Sequence, residues 1–307
     1  MPHILVVGSL NMDLVVEVPT IPQPGETVLG KNFATFPGGK GANQAVAAAR
    51  LGARVSMIGR VGKDAFGDQL LASGRAAGID MTHVGRDDTA ATGVAMIVVD
   101  QQGQNSIAVA SGANFCLTAD HVRQAWAALD DIDLLVMPLE TPLETIETAV
   151  DLANKSGALV VLNPAPARSL PAELLPGVDV LVPNEPETAQ LTGMPAGTPG
   201  ESREAARQLL ALGIGHVVLT LGSRGTLVLD GDTEAFTLIP ARKVEVVDTT
   251  AAGDAFVAGL AVALGEGKSL LEAALFANCV GALAVTKQGA QPGMPTRVEV
   301  ETMLEER

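Results

Sequence analysis

Residues 248–256 read Asp-Thr-Thr-Ala-Ala-Gly-Asp-Ala-Phe and join two segments of different character. The β-branched run 244–247 precedes them and predicts a strand, whereas the apolar run after them predicts a helix that begins at about Gly253. Small residues let a ligand approach the backbone, and the free N–H groups of a helix start attract an anion, phosphate above all. Asp254 stands in the first turn, where a carboxylate is useful if it takes a proton from a nucleophile that attacks the anion. The simpler alternative is that Asp254 or Asp248 only caps the helix.

The composition is aliphatic and strongly acidic. Hydrophobic residues make up 47% of the 307 residues and aromatic residues only 3%, so the core must be built from Val, Leu, Ile and Ala, as in helix-covered parallel sheets. A formal charge of −15 argues against nucleic acid or an anionic membrane as a partner. The two cysteines predict neither a disulfide framework nor a metal site. With no recognisable signal peptide or transmembrane-length apolar run, we expect a cytoplasmic protein.

Short apolar runs alternate with helical stretches along most of the chain. This βα alternation predicts an α/β fold with a central, mostly parallel sheet and helices on both faces. Two groups of extended segments, at about 14–36 and 92–110, interrupt the alternation and predict a small β-sheet that serves as a lid or interface. Because no linker or repeat divides residues 1–307, we expect a single domain that carries this lid.

Polar or glycine-rich groups follow nearly every predicted strand. Ligands of α/β sheets bind beyond the carboxyl ends of the strands, so these groups predict one shared site. They are Asn11 and Asp13, the loop 37–43, Glu140, Asn163, Asn184 and Glu187, the turn 222–225, and the stretch 248–256. Each group alone also has a simpler explanation: an Asx turn for the first pair, a helix entry with positive φ for the glycine loop, and helix caps or first-turn acids for the others.

Two common nucleotide-binding signatures are absent. Gly267-Lys268-Ser269 resembles the end of a P-loop, but Val262 stands where the first glycine belongs, and the segment lies between two predicted helices. No dinucleotide-type glycine fingerprint follows the first strand, at 4–8. The four histidines share no motif, and we interpret them as structural or surface residues.

The strings 38–44 (Gly-Gly-Lys-Gly-Ala-Asn-Gln) and 248–254 together resemble the two signatures of the ribokinase family, also called the PfkB family of sugar kinases. The resemblance spans nearly the whole chain, and further matching strings occur at 11–13, 163–168, 220–225 and 289–292. It implies a ribokinase-like α/β fold. It also implies ATP-dependent phosphorylation of the primary hydroxyl of a pentose, with D-ribose at O5 as the first expectation.

The resemblance implies a role for each matching position. Asp254 would be the base, and the N–H groups around Ala251, Ala252 and Gly253 would form the anion hole. The sugar would be held by Asn11, Met12, Asp13, Gly39, Lys40, Gly41, Ala42, Asn43, Glu140 and Asp254. The ATP site would comprise Asn184, Glu187, Thr220, Leu221, Gly222, Ser223, Arg224, Gly225, Gly253, Asp254 and Asn278.

Two cations and a homodimer are implied in the same way. Mg²⁺ would act together with ATP, held largely through water by the Asn184 and Glu187 motif. A K⁺ site, built mainly from backbone carbonyls, would comprise Asp248, Thr250, Ala284, Lys287, Gly289 and Gly293. At the last of these positions many relatives have a Ser. The lid strands would pair with a second subunit.

Two alternatives stay open. Another member of the same family would act on deoxyribose, a hexose or a nucleoside, although seven Phe and one Trp offer little material for a nucleoside base slot. A non-catalytic sugar or nucleotide sensor would keep the fold and lack the reaction. The intact Asp254 and anion hole argue against the sensor.

Overall fold

The computed structural model describes residues 1–306, which form two sheets and ten helices. The strands are β1 His3–Val7, β2 Asn11–Glu17, β3 Asn32–Gly38, β4 Arg54–Gly62, β5 Val84–Asp87, β6 Gly93–Val99, β7 Asn105–Ala110, β8 Leu134–Met137, β9 Leu159–Leu162, β10 Val180–Leu181, β11 His216–Thr220, β12 Thr226–Leu229 and β13 Phe236–Ile239. The helices are α1 Lys40–Arg50, α2 Ala65–Ala76, α3 Ala119–Trp126, α4 Leu143–Ser156, α5 Glu185–Thr192, α6 Pro199–Ala211, α7 Ala252–Gly265, α8 Leu270–Ala284, α9 Ala290–Gly293 and α10 Arg297–Glu305. Short 3₁₀ turns cover Gly112–Cys116, Leu175–Gly177 and Gly222–Arg224. Within residues 1–306, no helix is long and apolar enough to cross a membrane.

The main sheet has nine strands in the order β13-β12-β11-β10-β9-β8-β1-β4-β5. The seven neighbouring strands β11, β10, β9, β8, β1, β4 and β5 run parallel, and β12 and β13 add an antiparallel edge. The interior strand β1, between β8 and β4, is apolar on both faces, because Ile4 and Val6 belong to one core cluster and Leu5 and Val7 to the other. The predicted α/β class, with helices on both faces of a mostly parallel sheet, is confirmed.

The helices α7 and α8 pack so closely that α7 is buried along most of its length. A Cβ on Gly259 of α7 would lie 2.8 Å from Cγ2 of Val280 on α8, so a small residue is needed at this contact. Buried helices are apolar around their whole circumference, which explains why α7 shows no polar face in the sequence. Asp254 is therefore an acid at the start of an otherwise apolar helix.

The small sheet has four strands in the order β3-β2-β6-β7. The strand β2 follows β1 after only three residues, 8–10, so the small sheet starts at the carboxyl end of β1. Within it, β2 runs parallel to β6, and the two outer pairs are antiparallel. The separate small sheet predicted from segments 14–36 and 92–110 is present, although β2 begins earlier, at Asn11, and residues 18–31 contain no strand.

The prediction of a strand at 244–247 is wrong. These residues form no strand, and the side chains of Val246 and Val247 are exposed. The backbone N–H of Val247 instead donates to the carbonyl of Val285, 2.8 Å away, just beyond the end of α8. β-Branched residues favour extended backbone, but a strand also needs a free neighbour, and β13 already occupies this edge of the main sheet. The three short strands β5, β12 and β13 were not predicted.

Candidate active site

A cavity of about 630 Å³ lies where the carboxyl ends of the main strands meet the small sheet. This volume falls in the range of small-molecule sites, and the walls mix polar groups with apolar ones. The predicted site residues that line it are Asn11, Asp13, Gly39, Lys40, Asn43, Glu140, Asn184, Glu187, Thr220, Thr250, Ala251, Ala252, Gly253 and Asp254. Those that do not line it are Met12, Gly41, Ala42, Leu221, Gly222, Ser223, Arg224, Gly225, Asp248, Asn278, Ala284, Lys287, Gly289 and Gly293.

The carboxylate of Asp254 is buried, and both of its oxygens accept a hydrogen bond from α1. Nδ2 of Asn43 donates to Oδ2 at 3.0 Å, and Nε2 of Gln44 donates to Oδ1 at 3.1 Å. The N-cap of α7 is Ala251, which makes no side-chain cap. The capping alternative for Asp254 therefore does not describe its contacts: the side chain points toward α1 and the cavity, away from the backbone of its own helix.

Asp248 is likewise no helix cap. Its Oδ1 accepts from the N–H of Thr250 at 2.9 Å and from the hydroxyl of Thr250 at 2.7 Å, as in an Asx turn. Its Oδ2 accepts from the N–H of Gly289 at 2.8 Å. Asp248 thus ties the loop before α7 to the loop after α8. Burial raises its pKa, but these hydrogen bonds outweigh burial and hold the pKa below the usual value.

The start of α7 has an unusual backbone geometry and faces open space. Ala251 has φ of 59°, the left-handed conformation that a non-glycine residue rarely adopts, and α7 begins directly after it. A Cβ on Gly253 would meet no atom within 4 Å, so the first turn of the helix faces open space. The N–H of Ala252 donates to the carbonyl of Thr249 at 3.3 Å, and the N–H groups that follow it in the first turn of this 14-residue helix point out of this end together with the positive pole of the dipole.

Lys40 is the only cation among the described residues that line the cavity, and it stands among four carboxylates. Its pKa is raised, first by Asp254, and further by Glu140, Glu187 and Asp13, although burial opposes them. The ammonium group therefore stays charged and offsets part of the negative charge. One lysine cannot neutralise four acids, so the cavity as a whole favours protons, cations or hydroxyl donors.

The pKa values of Asp13, Asp254 and Glu187 are raised. Burial, followed by the charges of Glu140 and Asp254, raises the pKa of Asp13 to about 7. Burial is also the main cause of the raised pKa of Asp254 and of Glu187. Carboxyl groups with perturbed pKa values inside a cleft are typical of functional sites.

The glycine loop before α1 brings the two sheets together. A Cβ on Gly39, whose φ is 88°, would lie 2.6 Å from the backbone nitrogen of Asn11. A Cβ on Gly38 would lie 2.2 Å from Oδ2 of Asp13. These glycines are thus required for close approach as well as for the turn. Met12, between the two polar residues of β2, points into the core, because side chains alternate along a strand.

The predicted nucleotide residues divide into two groups. Asn184, Glu187 and Thr220 line the cavity. Asn184 and Glu187 also form a reciprocal capping box, in which Oδ1 of Asn184 accepts from the N–H of Glu187 at 2.8 Å. The turn 221–225 lies outside the cavity but follows Thr220 directly, and Asn278 on α8 donates to the carbonyl of Pro240 at 2.8 Å. The capping alternative for Asn184 and Glu187 is thus correct, and Glu187 faces the cavity as well.

The loops after α8 present carbonyl oxygens to a common point. A Cβ on Gly293 would lie 3.2 Å from the carbonyl oxygen of Ala284 and 3.5 Å from that of Lys287. The absence of a side chain at Gly293 keeps this space open. The bond from Gly289 to Asp248 holds the same loops beside the start of α7.

Several cavity residues were not singled out as site residues from the sequence. Asn114 lines the cavity and donates from Nδ2 to Oδ1 of Asn11 at 2.8 Å, and Ser111 lies beside it. Both follow the carboxyl end of β7, so the rule that polar groups follow strands would have found them.

Gln44, which contacts Asp254 but does not line the cavity, was part of the quoted string 38–44. A glutamine inside an Ala-rich helix gives no sign of what it contacts.

Comparison with known proteins identifies the family. The family model of the pfkB family carbohydrate kinases matches residues 1–297. A ribokinase from Haemophilus influenzae is 44% identical over 300 residues, which are 98% of this chain and 97% of that protein. A deoxyribokinase from Salmonella typhi is 39% identical over 298 residues, 95% of each chain.

A solved structure agrees with these sequence matches. A structure described as Arabidopsis thaliana ribokinase complexed with ribose and ATP superimposes with a TM-score of 0.90 at 34% identity and covers 99% of both chains. The resemblance to this family that the sequence motifs suggested is confirmed.

The raised pKa of Asp13 predicts how the stability of the protein depends on pH. The ordinary pKa of an Asp is about 3.9 in an unfolded chain, so stability falls as the pH rises from about 4 through the folded-state pKa of about 7. Asp13→Asn removes the titrating group. We expect thermal unfolding without ligands to show a higher Tm than wild type at about pH 8, and no difference near pH 4.

Asp87→Asn is a matched control of opposite sign. Hydrogen bonds from Ala90, Thr89 and Arg60 hold the pKa of Asp87 below its usual value, so this variant should lose stability at about pH 8. A Tm of Asp13→Asn equal to or below that of wild type at about pH 8 would contradict the raised pKa of the half-buried Asp13 carboxyl.

Proposed function

Because the chain belongs to the pfkB family of carbohydrate kinases, we propose that it transfers the γ-phosphoryl group of ATP to the O5 hydroxyl of D-ribose. The observation that carries the proposal is the buried Asp254 carboxylate, held by two amides beside the open first turn of α7 and inside a cavity rich in sugar-binding groups. A ribokinase is among the most similar relatives, and a structural neighbour is described in complex with ribose and ATP. With ATP as its co-substrate, the reaction belongs in the cytoplasm.

The sugar is assigned to the end of the cavity where the small sheet meets α1. Ionised carboxylates accept hydrogen bonds from vicinal hydroxyls, and amide and ammonium groups donate to them, so one epimer is preferred. The contacts we assign to the sugar are Asn11, Asp13, Gly39, Lys40, Asn43 and Glu140. Met12, Gly41 and Ala42 support these groups from behind, because their positions are buried and outside the cavity.

The chemical step moves one proton and one phosphoryl group. The O5–H proton passes to the carboxylate of Asp254 as O5 forms its bond to the γ-phosphorus, the bond from that phosphorus to the bridging oxygen breaks, and ADP leaves. The N–H groups at Ala251, Ala252 and Gly253 would face the oxygens of the transferred group and stabilise their charge, for which the N–H of Ala252 must leave the carbonyl of Thr249 that accepts it at 3.3 Å. Phosphoryl transfer has a loose transition state, so positioning and charge stabilisation contribute more than proton abstraction.

ATP is assigned to the side of the cavity formed by Thr220 and Asn184. The turn 221–225 would bind the nucleotide outside the phosphate region, since it continues directly from Thr220 and its Gly222 has open space around it. Asn278 is assigned to the same nucleotide on α8. This arrangement would leave the phosphates between Asn184, Glu187 and the start of α7.

Mg²⁺ is assigned to the phosphates near Glu187. Mg²⁺ usually keeps several of its waters and is bound largely through the phosphates of its nucleotide. Each oxygen of Glu187 already accepts a bond from Asn184, at 2.9 and 3.0 Å, so contact through water fits its remaining capacity. The ion would supply positive charge that this acidic protein lacks.

K⁺ is assigned to the loops around Gly293. Carbonyl oxygens that converge on one point repel one another unless a cation lies between them, and those of Ala284 and Lys287 approach the space beside Gly293. The remaining groups of this site are Asp248, Thr250 and Gly289. A bound K⁺ would stiffen the loop that leads into Ala251 and the anion hole, and a water can replace the hydroxyl that Gly293 lacks.

A homodimer is assigned to the small sheet. Its outer strands leave unpaired backbone groups, and every residue of β7 is exposed. Phe33 on β3 is 68% exposed, and Met96 on β6 is also exposed. Exposed edges and clustered apolar side chains are usually covered by a partner, and a second copy of the same sheet supplies a matching surface.

The second candidate substrate is 2-deoxyribose. It keeps the primary hydroxyl and differs only at C2, and a deoxyribokinase is 39% identical to this chain. A site that hydrogen-bonds the 2-hydroxyl would discriminate strongly against the deoxy sugar, because its buried polar groups would be left unpaired. Five of the six contacts assigned to the sugar, all but Gly39, carry a polar side chain, and this density of polar groups favours ribose on the same ground.

Asp254→Asn tests the reaction. Removal of the base should lower kcat for ribose phosphorylation by about 10²- to 10⁴-fold and leave both KM values within a few fold, measured by ADP release. Asp68→Asn is the matched control, since Asp68 is an exposed acid in the first turn of α2 and should not matter. Near wild-type turnover of Asp254→Asn would remove Asp254 from the mechanism.

Titration with KCl at fixed ionic strength in a tetramethylammonium buffer tests the cation site. We expect the rate with ribose and Mg-ATP to rise with K⁺, and to rise less with Na⁺. Gly293→Ala places a methyl group 3.2 Å from the carbonyl oxygen of Ala284 and should weaken the activation. Gly200→Ala is the control, because a Cβ there meets no atom within 4 Å. An unchanged rate across the wild-type titration would refute the site.

Sedimentation equilibrium at micromolar concentration tests the dimer. We expect twice the monomer mass of 31.4 kDa for wild type and a shift toward monomer for Phe33→Glu, because a charge would be buried in the interface. Val298→Glu changes an exposed valine on α10, far from the small sheet in the chain, and should leave the dimer intact. A monomeric wild-type protein would contradict the assignment.

A further inference from the structure

A chain of amides links the main sheet to Asp254. Nδ2 of Asn163 donates to the backbone carbonyl of Val182 at 2.9 Å. Nε2 of Gln44 donates to Oδ1 of Asn163 at 3.2 Å and to Oδ1 of Asp254 at 3.1 Å. The single NH₂ group of Gln44 thus uses one hydrogen for each partner.

The backbone carbonyl of Val182 sets the donor–acceptor direction of the hydrogen bonds in this series of amides. A carbonyl oxygen only accepts, so Asn163 must turn its NH₂ group to Val182 and its oxygen to Gln44. Gln44 must then offer its NH₂ group to that oxygen, and the second hydrogen of the same group reaches Asp254. The orientation of the Gln44 amide therefore follows from the network and does not depend on telling nitrogen from oxygen at that side chain.

This orientation costs Gln44 one hydrogen bond. The side chain is buried, and its Oε1 has no partner within residues 1–306. A buried acceptor without a partner is destabilising. The flipped amide would be worse, since Oε1 would then face the carboxylate of Asp254 and the oxygen of Asn163. The fold thus accepts an unpaired oxygen and gains two donors in the required places.

Gln44 donates to Asp254 from outside the cavity. Asn43, its neighbour on α1, also donates to Asp254 but lines the cavity, whereas Gln44 does not. We propose that Gln44 is a positioning residue for the reaction proposed above: it holds the Asp254 carboxylate in one rotation and favours its ionised form without touching sugar or nucleotide. This inference rests on the proposed role of Asp254 as base.

The charges around Asp254 make this support necessary. Burial raises the pKa of Asp254, the charge of Lys40 and the amides of Asn43 and Gln44 lower it, and Glu140 raises it. Asp13 and Glu187 also lie close enough to interact with its charge. Three acids therefore oppose the ionised base, and one lysine and two amides support it. Loss of one amide should move the titration of Asp254 to higher pH.

Gln44→Met tests the proposal, because Met has a similar length and no N–H group. We expect kcat to fall by about ten- to a hundredfold, the acid limb of the kcat/KM profile to move to higher pH, and both KM values to stay within a few fold. Gln44→Glu keeps the shape but places a fourth acid against Asp254, and should move the acid limb further in the same direction.

Gln208→Met is the matched control. Gln208 lies on α6 and donates its Nε2 to the carbonyl of Thr192 at 3.2 Å, so its loss removes an amide donor far from the cavity. Its pH profile should match that of wild type. An acid limb of Gln44→Met that coincides with that of Gln208→Met would overturn the proposal, even if both variants lose some stability.

A measurement on the ligand-free protein separates this inference from the proposed reaction. ¹³C NMR of protein labelled at the Asp carboxyl carbons follows the titration of Asp254 directly, with its signal assigned by its loss in Asp254→Asn. We expect a higher midpoint in Gln44→Met than in wild type, whatever the substrate. Equal midpoints would refute the inference, whereas a shifted midpoint in a protein without kinase activity would refute only the proposed function.

Discussion

The interaction of the buried Asp254 carboxylate with the charge of the half-buried Lys40 is the constraint on which the site depends. Each comes from the first turn of a helix, α7 and α1, and both side chains end in a cavity shared with three more acids. Burial opposes every charge in this group, so it persists only because the charges and amides compensate one another. In the proposed enzyme, the sugar hydroxyls and the Mg²⁺ nucleotide would complete that compensation.

Close backbone contacts give these charged groups their geometry. A Cβ on Gly41 would lie 2.6 Å from the backbone nitrogen of Ser9, so α1 starts directly against the link between β1 and β2. The hydroxyl of Ser9 donates to Glu140, which also accepts from the N–H of Lys40 at 3.1 Å. One short segment therefore joins the main sheet, the small sheet and the glycine loop. Movement of the small sheet would displace Asp13 and Asn11, because both lie on β2.

The periodicity and motifs of the sequence predicted the fold class and the position of the candidate site. The buried β1 and the polar groups after each strand indicated both the α/β class and the place where ligands meet. The strand prediction at 244–247 failed because propensity does not reveal whether a sheet edge is free. The strands β12 and β13 follow β11 without an intervening α-helix, so the βα alternation does not reveal them, and β5 reads Val-Gly-Arg-Asp, with only one β-branched residue. The role of Gln44 was out of reach for a different reason: its partners, Asn163 and Asp254, are 119 and 210 residues away along the chain, and only the packing of α1 on α7 brings them together.

Phosphate–proton correlation NMR of the product tests the central claim most directly. Ribose and Mg-ATP are incubated with the protein, and the new phosphorus signal is correlated with the sugar protons. The account predicts a phosphorus coupled to the two protons on C5, with ADP formed in equal amount. Coupling to the single anomeric proton, or release of ADP without any phosphorylated sugar, would contradict it.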